Sequence, residues 1–389
     1  MIKFLKYLLS YLIHPLSFLI PRNAGKIAFG SYRGGFEGNA KYLFIEMSRA
    51  GLDAVWLSPD RRTVALVRSL GLRAWFVLSP RGAWRALRSR TWFVNAYTSD
   101  ILWALSGGAE VINLWHGVGL KRTEYNSTSG PMYDRYIRKT FRQAFYHPEA
   151  YRKPQWLVTA SDFQTPMFAA AFRLPESRCI KCGYPRNSIL TCSEEERREF
   201  IEAYEPESTI KLLKDLRSFS EVWIYMPTWR DSQRDIFAQG MDLPKLQEVL
   251  SKRNSILLLK PHPNTLTGPV EGYPNIRLLD SAADVYPVLP YTDALITDYS
   301  SVLYDYILME GKGAVLYLYD RDDYVKDRDF FFPFDENVIG QKTYTFGQLL
   351  EAISQGPEPL DESGRAALAR KFWDNTTPHY DFSDYLHLQ

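Results

Sequence analysis

Residues 26–58 read KIAFGSYRGGFEGNAKYLFIEMSRAGLDAVWLS, and the whole fold can be inferred from the pattern in this segment. Its two ends, 26–29 and 54–57, are short apolar runs typical of buried strands. Between them, residues 39–49 carry apolar side chains at helical spacing. A helix that joins two short apolar strands predicts a parallel sheet with a crossover connection.

The same alternation runs through most of the 389 residues. Further strands are predicted at 74–77, 92–95, 111–114, 156–159, 222–226, 256–260, 276–279, 294–297 and 314–317. Further helices are predicted at 61–69, 81–88, 244–253, 285–289 and 301–309. The chain is too long for one ordinary core, so we expect an α/β protein with two Rossmann-like, doubly wound parallel-sheet domains facing a cleft.

The ends of this alternation give the expected domain bounds. They are a membrane-surface amphipathic helix at 1–22, an N-terminal acceptor-side domain at 23–193, a helical linker at 194–219, a C-terminal nucleotide-donor domain at 220–362, and a C-terminal helical tail at 363–389. The first segment, MIKFLKYLLSYLIHPLSFLIPR, is interrupted by Lys6, His14 and Pro15. A membrane span needs about 20 apolar residues, so an interfacial helix fits better. An ordinary helix docked on the protein body is the alternative.

Charge is distributed unevenly along the chain although the formal net charge is only +2. Residues 1–153 hold 23 Lys+Arg and 9 Asp+Glu, hence +14, and residues 154–389 hold 24 and 36, hence −12. A basic half favours a polyanionic partner or an anionic membrane surface. We expect no nucleic-acid partner, because no groove-reading motif occurs.

Polar residues follow four of the predicted strands, where open α/β sheets bind their ligands. His116 follows the strand at 111–114, and a histidine suits general-base work on a hydroxyl. Arg230 follows the strand at 222–226 and can grip phosphate. Lys260 and His262 lie between prolines that stiffen their loop. The fourth segment, ALITDYSSVLYDY at 294–306, runs from a strand into a helix whose start would favour an anion.

Several common site motifs are missing from the sequence. It has no G-x-x-x-x-G-K-[ST] loop, no G-x-G-x-x-G after a strand, no G-x-S-x-G and no H-E-x-x-H. We predict no metal site from ligand spacing, and no cofactor, although a divalent metal such as Mg bridging a pyrophosphate stays compatible with the sequence.

Taken in order, five motifs resemble the CDP-glycerol glycerophosphotransferase family, the teichoic-acid primases and polymerases with relatives in capsule synthesis. They are Trp115-His116-Gly117 with Leu120-Lys121-Arg122, Gly183-Tyr184-Pro185-Arg186-Asn187, Pro227-Thr228-Trp229-Arg230-Asp231, Lys260-Pro261-His262-Pro263, and Thr297-Asp298-Tyr299-Ser300-Ser301 with Asp305-Tyr306. Residues Gly35 and Asn39-Ala40-Lys41-Tyr42 resemble the first motif of the family. The resemblance implies a GT-B-like fold and transfer of an alditol phosphate from a CDP-alditol to a hydroxyl, releasing CMP.

Roles follow from the resemblance residue by residue. His116 and His262 would be catalytic, the first as general base and the second at the pyrophosphate. The donor would be bound by Arg230, Lys260, Thr297, Asp298, Ser300, Ser301 and Asp305. The acceptor would be bound by Gly35, Asn39 and Lys121.

The expected partners are a CDP-alditol, a phosphoglycan or lipid-linked acceptor, and an anionic membrane surface on the cytoplasmic face of the cell membrane, where the protein would be peripheral. One sequence leaves open glycerol against ribitol, and primase against polymerase. Two other functions also stay open: a GT-B glycosyltransferase that uses a nucleotide sugar such as a CMP-sugar, and a non-catalytic binder of anionic polymer.

Overall fold

A computed structural model describes residues 2–228, 241–261, 270–281, 283–321, 324, 330–374 and 380–386. The chain forms two compact units. The first comprises Met1–Ser188 with Thr377–Gln389, and the second comprises Ile189–Thr376.

The first unit contains a seven-stranded sheet in the order β3-β2-β1-β4-β5-β6-β7, with every pair parallel. Its strands are β1 (Asn23–Gly30), β2 (Asp53–Ser58), β3 (Ala74–Phe76), β4 (Ser89–Val94), β5 (Glu110–Asn113), β6 (Trp156–Thr159) and β7 (Cys179–Lys181). This is the Rossmann strand order. Successive strands are added on one side of β1 up to β3 and on the other side from β4 onward, so the order of addition reverses between β1 and β4.

Helices of the first unit connect these strands. They are α1 (Ile2–Ser17), α2 (Gly38–Arg49), α3 (Arg61–Ser69), α4 (Pro80–Arg88), α5 (Gly130–Tyr136), α6 (Phe141–Tyr146) and α7 (Thr165–Phe172). Short 3-10 turns occur at Tyr32–Gly34, Thr98–Asp100, Trp103–Leu105, Glu124–Asn126, Pro148–Tyr151, Glu176–Arg178, Pro185–Asn187 and Ser383–Tyr385.

The second unit repeats the topology with a six-stranded parallel sheet in the order β10-β9-β8-β11-β12-β13. Its strands are β8 (Glu221–Met226), β9 (Ser255–Leu259), β10 (Ile276–Leu278), β11 (Ala294–Thr297), β12 (Gly313–Tyr317) and β13 (Gln341–Thr343). Its helices are α8 (Ser188–Thr191, which begins at the last residue of the first unit), α9 (Glu194–Tyr204), α10 (Glu207–Leu216), α11 (Leu243–Lys252), α12 (Val302–Tyr306), α13 (Phe346–Gln355) and α14 (Glu362–Trp373), with a 3-10 turn at Leu289–Tyr291.

Strand side chains form the core of each unit. Trp92 and Val94 lie in one buried cluster of the first unit, and Trp223 and Ile296 lie in one of the second. Helices cover both faces of a parallel sheet, so its strands read as nearly continuous apolar runs. The predicted fold class of two Rossmann-like α/β domains is confirmed.

The structure places the division between the units earlier than the sequence suggested, after Ser188 rather than after residue 193. The guanidinium of Arg197 in α9 donates to the carbonyls of Ile189 (2.9 Å), Leu190 (3.3 Å) and Cys192 (2.9 Å). These bonds attach the segment before α9 to the second unit. The predicted linker at 194–219 consists of α9 and α10, which belong to that unit.

The predicted tail at 363–389 is divided between the units. Its helix α14 packs in the second unit, where Trp373 Nε1 donates to the Tyr304 carbonyl (2.7 Å). Residues 380–386 return to the first unit, where Phe382 packs on Phe93 with ring centroids 5.3 Å apart.

Candidate active site

His116 lies in a loop that begins where β5 ends, on the carboxyl edge of the first sheet. The preceding residue, Trp115, has a φ of 55°, in the left-handed region that non-glycine residues rarely adopt. Such a conformation costs about 1–3 kcal/mol and persists only where neighbouring contacts impose it. Here the Asn113 side-chain oxygen accepts from the Trp115 N–H (2.9 Å), and the buried indole packs on Phe172 with centroids 4.9 Å apart.

Side chains from elsewhere in the unit bind four successive carbonyls of this loop. The Asn39 amide donates to the carbonyls of Leu114 (3.3 Å) and Trp115 (2.9 Å). Arg186 Nη1 donates to the carbonyl of His116 itself (2.8 Å), and the Tyr184 hydroxyl donates to that of Gly117 (3.2 Å). These contacts fix the loop backbone, as a preorganised catalytic group requires.

The imidazole of His116 is held in one tautomer. Its Nδ1 lies 3.0 Å from the backbone oxygen of Asn95. A carbonyl can only accept, so Nδ1 carries the proton and Nε2 carries the lone pair. The ring is therefore arranged as a base at Nε2.

The surroundings of His116 favour its neutral form. Desolvation by the protein packed around the ring and the nearby Arg186 charge lower its pKa from 6.5 to about 4, although the hydrogen bond to Asn95 opposes them. Part of the residue is exposed to solvent. A neutral imidazole at pH 7 can accept a proton from a hydroxyl.

Asn95 connects this site to the point where the strand order reverses. Its amide donates to the Ser31 hydroxyl (2.8 Å) and to the Glu37 carbonyl (3.1 Å), and its side-chain oxygen accepts from the N–H of Ala40 (2.9 Å). Gly38 has a φ of +67°, and a Cβ there would lie 2.7 Å from the Asn95 amide nitrogen. Only glycine fits this close approach without strain.

The Asp100 carboxylate fixes the backbone of Asn95. It accepts from the N–H groups of Asn95 (2.9 Å) and Ala96 (2.8 Å), and its burial raises its pKa to about 7. The sequence analysis found neither Asn95 nor Asp100. Asn95 had one signal, its position directly after the strand β4, whereas Asp100 lies at the end of the following 3-10 turn and had none.

The three residues predicted to bind the acceptor occupy different environments. Asn39 is fully buried, and its side-chain oxygen accepts from the Arg186 N–H (3.2 Å), so it supports the backbone of the His116 loop. This corrects the prediction that Asn39 contacts the acceptor. Gly35 and Lys121 are partly buried, Gly35 after β1 and Lys121 five residues after His116.

In the second unit, Asp298 joins the ends of the two central strands. Its carboxylate accepts from the Thr228 N–H (2.9 Å) and hydroxyl (2.6 Å), and from the Tyr299 N–H (2.6 Å). The buried Thr297 hydroxyl donates to the Met226 carbonyl (2.8 Å). Thr297 and Asp298 thus shape the carboxyl edge where β8 and β11 meet, which is the switch point of this sheet.

The helix after β11 is shorter than predicted. It covers Val302–Tyr306 instead of 301–309, and Ser301 precedes it without a side-chain cap. Ser300 and Ser301 are partly buried, and the Ser300 hydroxyl accepts weakly from the Val302 N–H (3.4 Å). Asp305 is fully buried and accepts from the Tyr286 hydroxyl (2.7 Å), which corrects its predicted contact with the donor.

Lys260 was predicted to bind phosphate, and the structure gives it another role. Its ammonium donates to the carbonyls of Asp280 (2.6 Å), Ser281 (3.0 Å) and Ala283 (2.6 Å). An ammonium has three donors, and three carbonyls receive them here. Lys260 therefore stabilises the backbone at residues 280, 281 and 283.

Two predicted residues, Arg230 and His262, lie outside the described residues. Within the described ranges, no group of three or more His, Cys, Asp or Glu side chains is arranged to hold a metal ion. In the same ranges, no helix combines the length and hydrophobicity needed to cross a bilayer.

Comparison with known families decides the relationship. The family described as CDP-Glycerol:Poly(glycerophosphate) glycerophosphotransferase matches residues 12–381. The chain belongs to this family. The resemblance inferred from the five motifs is thereby confirmed.

The curated relatives of the chain include a transferase and polymerases of teichoic acid. The chain is 26% identical over 308 residues to the teichoic acid glycerol-phosphate transferase of Staphylococcus aureus, covering 77% of this chain and 74% of that one. It is 26% identical over 363 residues to the teichoic acid poly(glycerol phosphate) polymerase of Bacillus spizizenii, covering 86% and 84%. It matches the ribitol-phosphate polymerase TarK of Staphylococcus aureus at 27% identity over 260 residues, but spans only 45% of TarK.

Among solved structures, the wall teichoic acid polymerase TagF superimposes with a TM-score of 0.72 at 21% identity, covering 96% of this chain and 92% of that chain. A histidine-to-asparagine variant of TagF soaked with CDPG gives 0.71 at 22% identity. The chain therefore has the GT-B-like fold that the resemblance implied.

Proposed function

We propose that the protein transfers an alditol phosphate from a CDP-alditol to a hydroxyl of a phosphoglycan or lipid-linked acceptor, releasing CMP. The observation that carries this proposal is the fixed tautomer of His116. Its Nε2 lone pair can accept a proton, and hydrogen bonds hold the backbone of its loop. Phosphoryl transfer depends mainly on positioning and charge stabilisation, which suits a site without a covalent nucleophile.

In the proposed step, the acceptor hydroxyl donates a hydrogen bond to His116 Nε2. The hydroxyl oxygen attacks the β-phosphorus of the donor, and its proton passes to Nε2. The bond between that phosphorus and the bridging oxygen breaks, and CMP leaves with the electron pair. The imidazolium then loses its proton to solvent, and the surroundings that lower the pKa of His116 favour this reset.

The second unit would bind the donor at the edge where β8 and β11 end. The Asp298 contacts to Thr228 and Tyr299 fix that edge, and the partly buried hydroxyls of Ser300 and Ser301 lie just beyond it. Arg230 and His262 remain predictions from the resemblance. A divalent metal at the pyrophosphate would add charge stabilisation.

The carried group is decided by a donor screen. Purified protein is incubated with an alditol-phosphate oligomer and with CDP-glycerol, CDP-ribitol or a CMP-sugar, and CMP release and product mass are followed. We expect CMP release with a CDP-alditol and a product heavier by one alditol phosphate. A product that gains a sugar without phosphate would show a glycosyltransferase, and binding without turnover would show a non-catalytic protein.

We extend the proposal to the place of action, a peripheral position on an anionic membrane at the cytoplasmic face. Helix α1 docks on the first unit through one face, where Tyr11 packs on Trp103 with centroids 5.2 Å apart and His14 stacks on the same indole at 4.1 Å. Its other face presents four leucines that are 55–63% exposed, Leu5, Leu9, Leu12 and Leu16.

The exposed leucines continue into a second apolar element. Phe145 of α6 stacks on Phe4 (5.2 Å), and Phe141, one turn earlier in the same helix, is 83% exposed. Lys3 and Lys6 border this surface and would meet anionic headgroups. A docked helix with an exposed apolar face and lysines at its border has the character of a helix lying in a membrane interface.

A further inference from the structure

An open groove of about 530 Å³ runs along the edge of the first sheet, away from the residues discussed so far. One wall is the outer face of α3, with Arg61 and Arg68 two turns apart. The other wall contains Trp75 and Phe76 of the edge strand β3 and Arg81 at the start of α4. Its volume lies in the range of small-molecule sites.

The three arginines lie over the aromatic rings of the groove. The Arg61 guanidinium lies 4.2 Å from the centroid of Phe76. Those of Arg68 and Arg81 lie 4.6 and 5.5 Å from that of Trp75. A guanidinium stacked by its face keeps N–H groups at its edges for other partners, and the stacking limits its freedom before a ligand arrives.

The positive charge of the groove is not compensated by carboxylates. Within the described part of the chain, none of these three exposed arginines forms an ion pair. By contrast, three other cations of this unit converge on one carboxylate: Lys26 (2.7 Å), Arg73 (2.8 Å) and Arg85 (2.9 Å) all contact Asp53. The groove therefore has the character of an anion site, whereas the three cations around Asp53 already share a carboxylate partner.

The groove lies within reach of the candidate base along one edge of the sheet. Arg61 follows β2 and His116 follows β5, and all strands are parallel, so both residues lie at the carboxyl edge. Three strand spacings separate β2 from β5, which is about 15 Å. A ligand that reaches both residues must be extended, and the groove arginines favour anionic groups at its far end.

We propose that this groove binds the phosphodiester backbone of the acceptor polymer, at repeats remote from the reacting hydroxyl. A guanidinium can donate two parallel hydrogen bonds to the oxygens of one phosphate. The aromatic faces would pack against the carbon atoms between phosphates. The inference rests on the proposed function, because it takes the acceptor to be an alditol-phosphate chain. It adds a second subsite that acceptors of one or two repeats would not reach.

The test compares two doubly substituted proteins of equal charge. R61Q/R81Q removes two groove arginines and keeps Arg68, whose Nε donates to the Ala74 carbonyl (2.8 Å) and supports the fold. R49Q/R178Q is the control, since Arg49 is exposed elsewhere and Arg178 stacks on Trp156 at 4.6 Å. Calorimetry without donor gives the Kd for alditol-phosphate oligomers of two and of twelve repeats, and turnover gives KM for each.

We expect R61Q/R81Q to weaken binding of the long oligomer about tenfold at low salt, since each charge-assisted hydrogen bond contributes strongly, and to raise its KM more than that of the short one. The control should keep the wild-type Kd and turnover. An unchanged Kd for the long oligomer in R61Q/R81Q would overturn the proposal. A loss of binding to anionic vesicles alone, with unchanged binding of the long oligomer, would also overturn the proposal and would assign the groove to lipid headgroups. Absence of turnover with every donor, while long oligomers still bind the groove, would refute the proposed reaction instead.

Discussion

At the residue scale, the site depends on a histidine that the fold keeps neutral. The ring of His116 has its proton fixed on Nδ1 by the Asn95 carbonyl, and burial together with the nearby Arg186 charge lowers its pKa. Because the folded pKa lies below the unfolded value, the neutral ring favours folding above pH 6.5. That contribution is lost as the pH falls from 6.5 toward 4.

Arg186 gives a test of this electrostatic account. Replacing Arg186 by Gln removes a positive charge that lowers the pKa of His116, so the acid limb of kcat/KM should move to higher pH. A pH–rate profile for CMP release checks this. Arg186→Lys keeps the charge and should keep the limb near its wild-type position, although both variants alter the hydrogen bond from Arg186 Nη1 to the His116 carbonyl. If the acid limb of kcat/KM in Arg186→Gln lies at the wild-type pH, the proposed effect of the Arg186 charge is wrong.

At the element scale, the loop after β5 is stabilised by a buried asparagine. Asn39→Ala would leave the carbonyls of Leu114 and Trp115 and the N–H of Arg186 without their partner. We expect the free energy of unfolding to fall by about 2–4 kcal/mol, since buried polar groups lose their hydrogen bonds. Urea unfolding of the whole chain measures it.

The control for this substitution is Asn23→Ala, because Asn23 is exposed and, among the residues that the structure describes, its side chain accepts only from the local Gly25 N–H (3.0 Å). Its unfolding free energy should change by less than about 0.5 kcal/mol. Equal effects of the two substitutions would show that Asn39 does not support the loop.

The elements also show what sequence alone could predict. The long apolar strands were found, because burial on both faces gives continuous apolar runs. The three-residue edge strands β7 and β13 were missed, because CIK and QKT have no such run. The helix predicted at 285–289 does not form, and the chain there makes turns that lead into a 3-10 turn at Leu289–Tyr291. Pro287 and Pro290 lack the backbone donors that an α-helix needs.

The candidate site was predictable only in part, for a related reason. His116 stands directly after an apolar strand, so its position in sequence marks it. The residues that orient it come from far along the chain: Asn95 is 21 residues away and Arg186 is 70. No local pattern shows that their side chains or carbonyls converge on one loop. The role of Lys260 was predicted wrongly for the same reason, since its carbonyl partners lie 20, 21 and 23 residues further along the chain.

At the scale of the whole molecule, the +14 and −12 halves correspond broadly to the two units. In the first unit the basic residues include Lys3 and Lys6 of α1 and the three arginines of the groove beside β3. We therefore assign the positive half to the acceptor and the membrane as proposals. Neither role needs a spanning helix.

Membrane binding gives the prediction at this scale. Leu12→Asp places a charge in the exposed leucine face of α1, where Leu12 is 62% exposed. We expect at least about tenfold weaker binding to vesicles containing anionic lipid, because apolar burial is lost and a charge must stay near headgroups. Leu78→Asp is the control, since Leu78 is 60% exposed elsewhere. Equal vesicle binding by wild type and Leu12→Asp would contradict the proposed anchor.

We propose that His116 is the base that activates the acceptor hydroxyl. The most direct measurement is kcat/KM for CMP release by His116→Ala, beside His147→Ala, whose ring contacts Glu149 (3.2 Å) away from the loop. We predict a loss of about 10²–10⁴-fold for His116→Ala and wild-type turnover for His147→Ala. A His116→Ala protein that is folded and turns over within a few-fold of wild type would contradict the account.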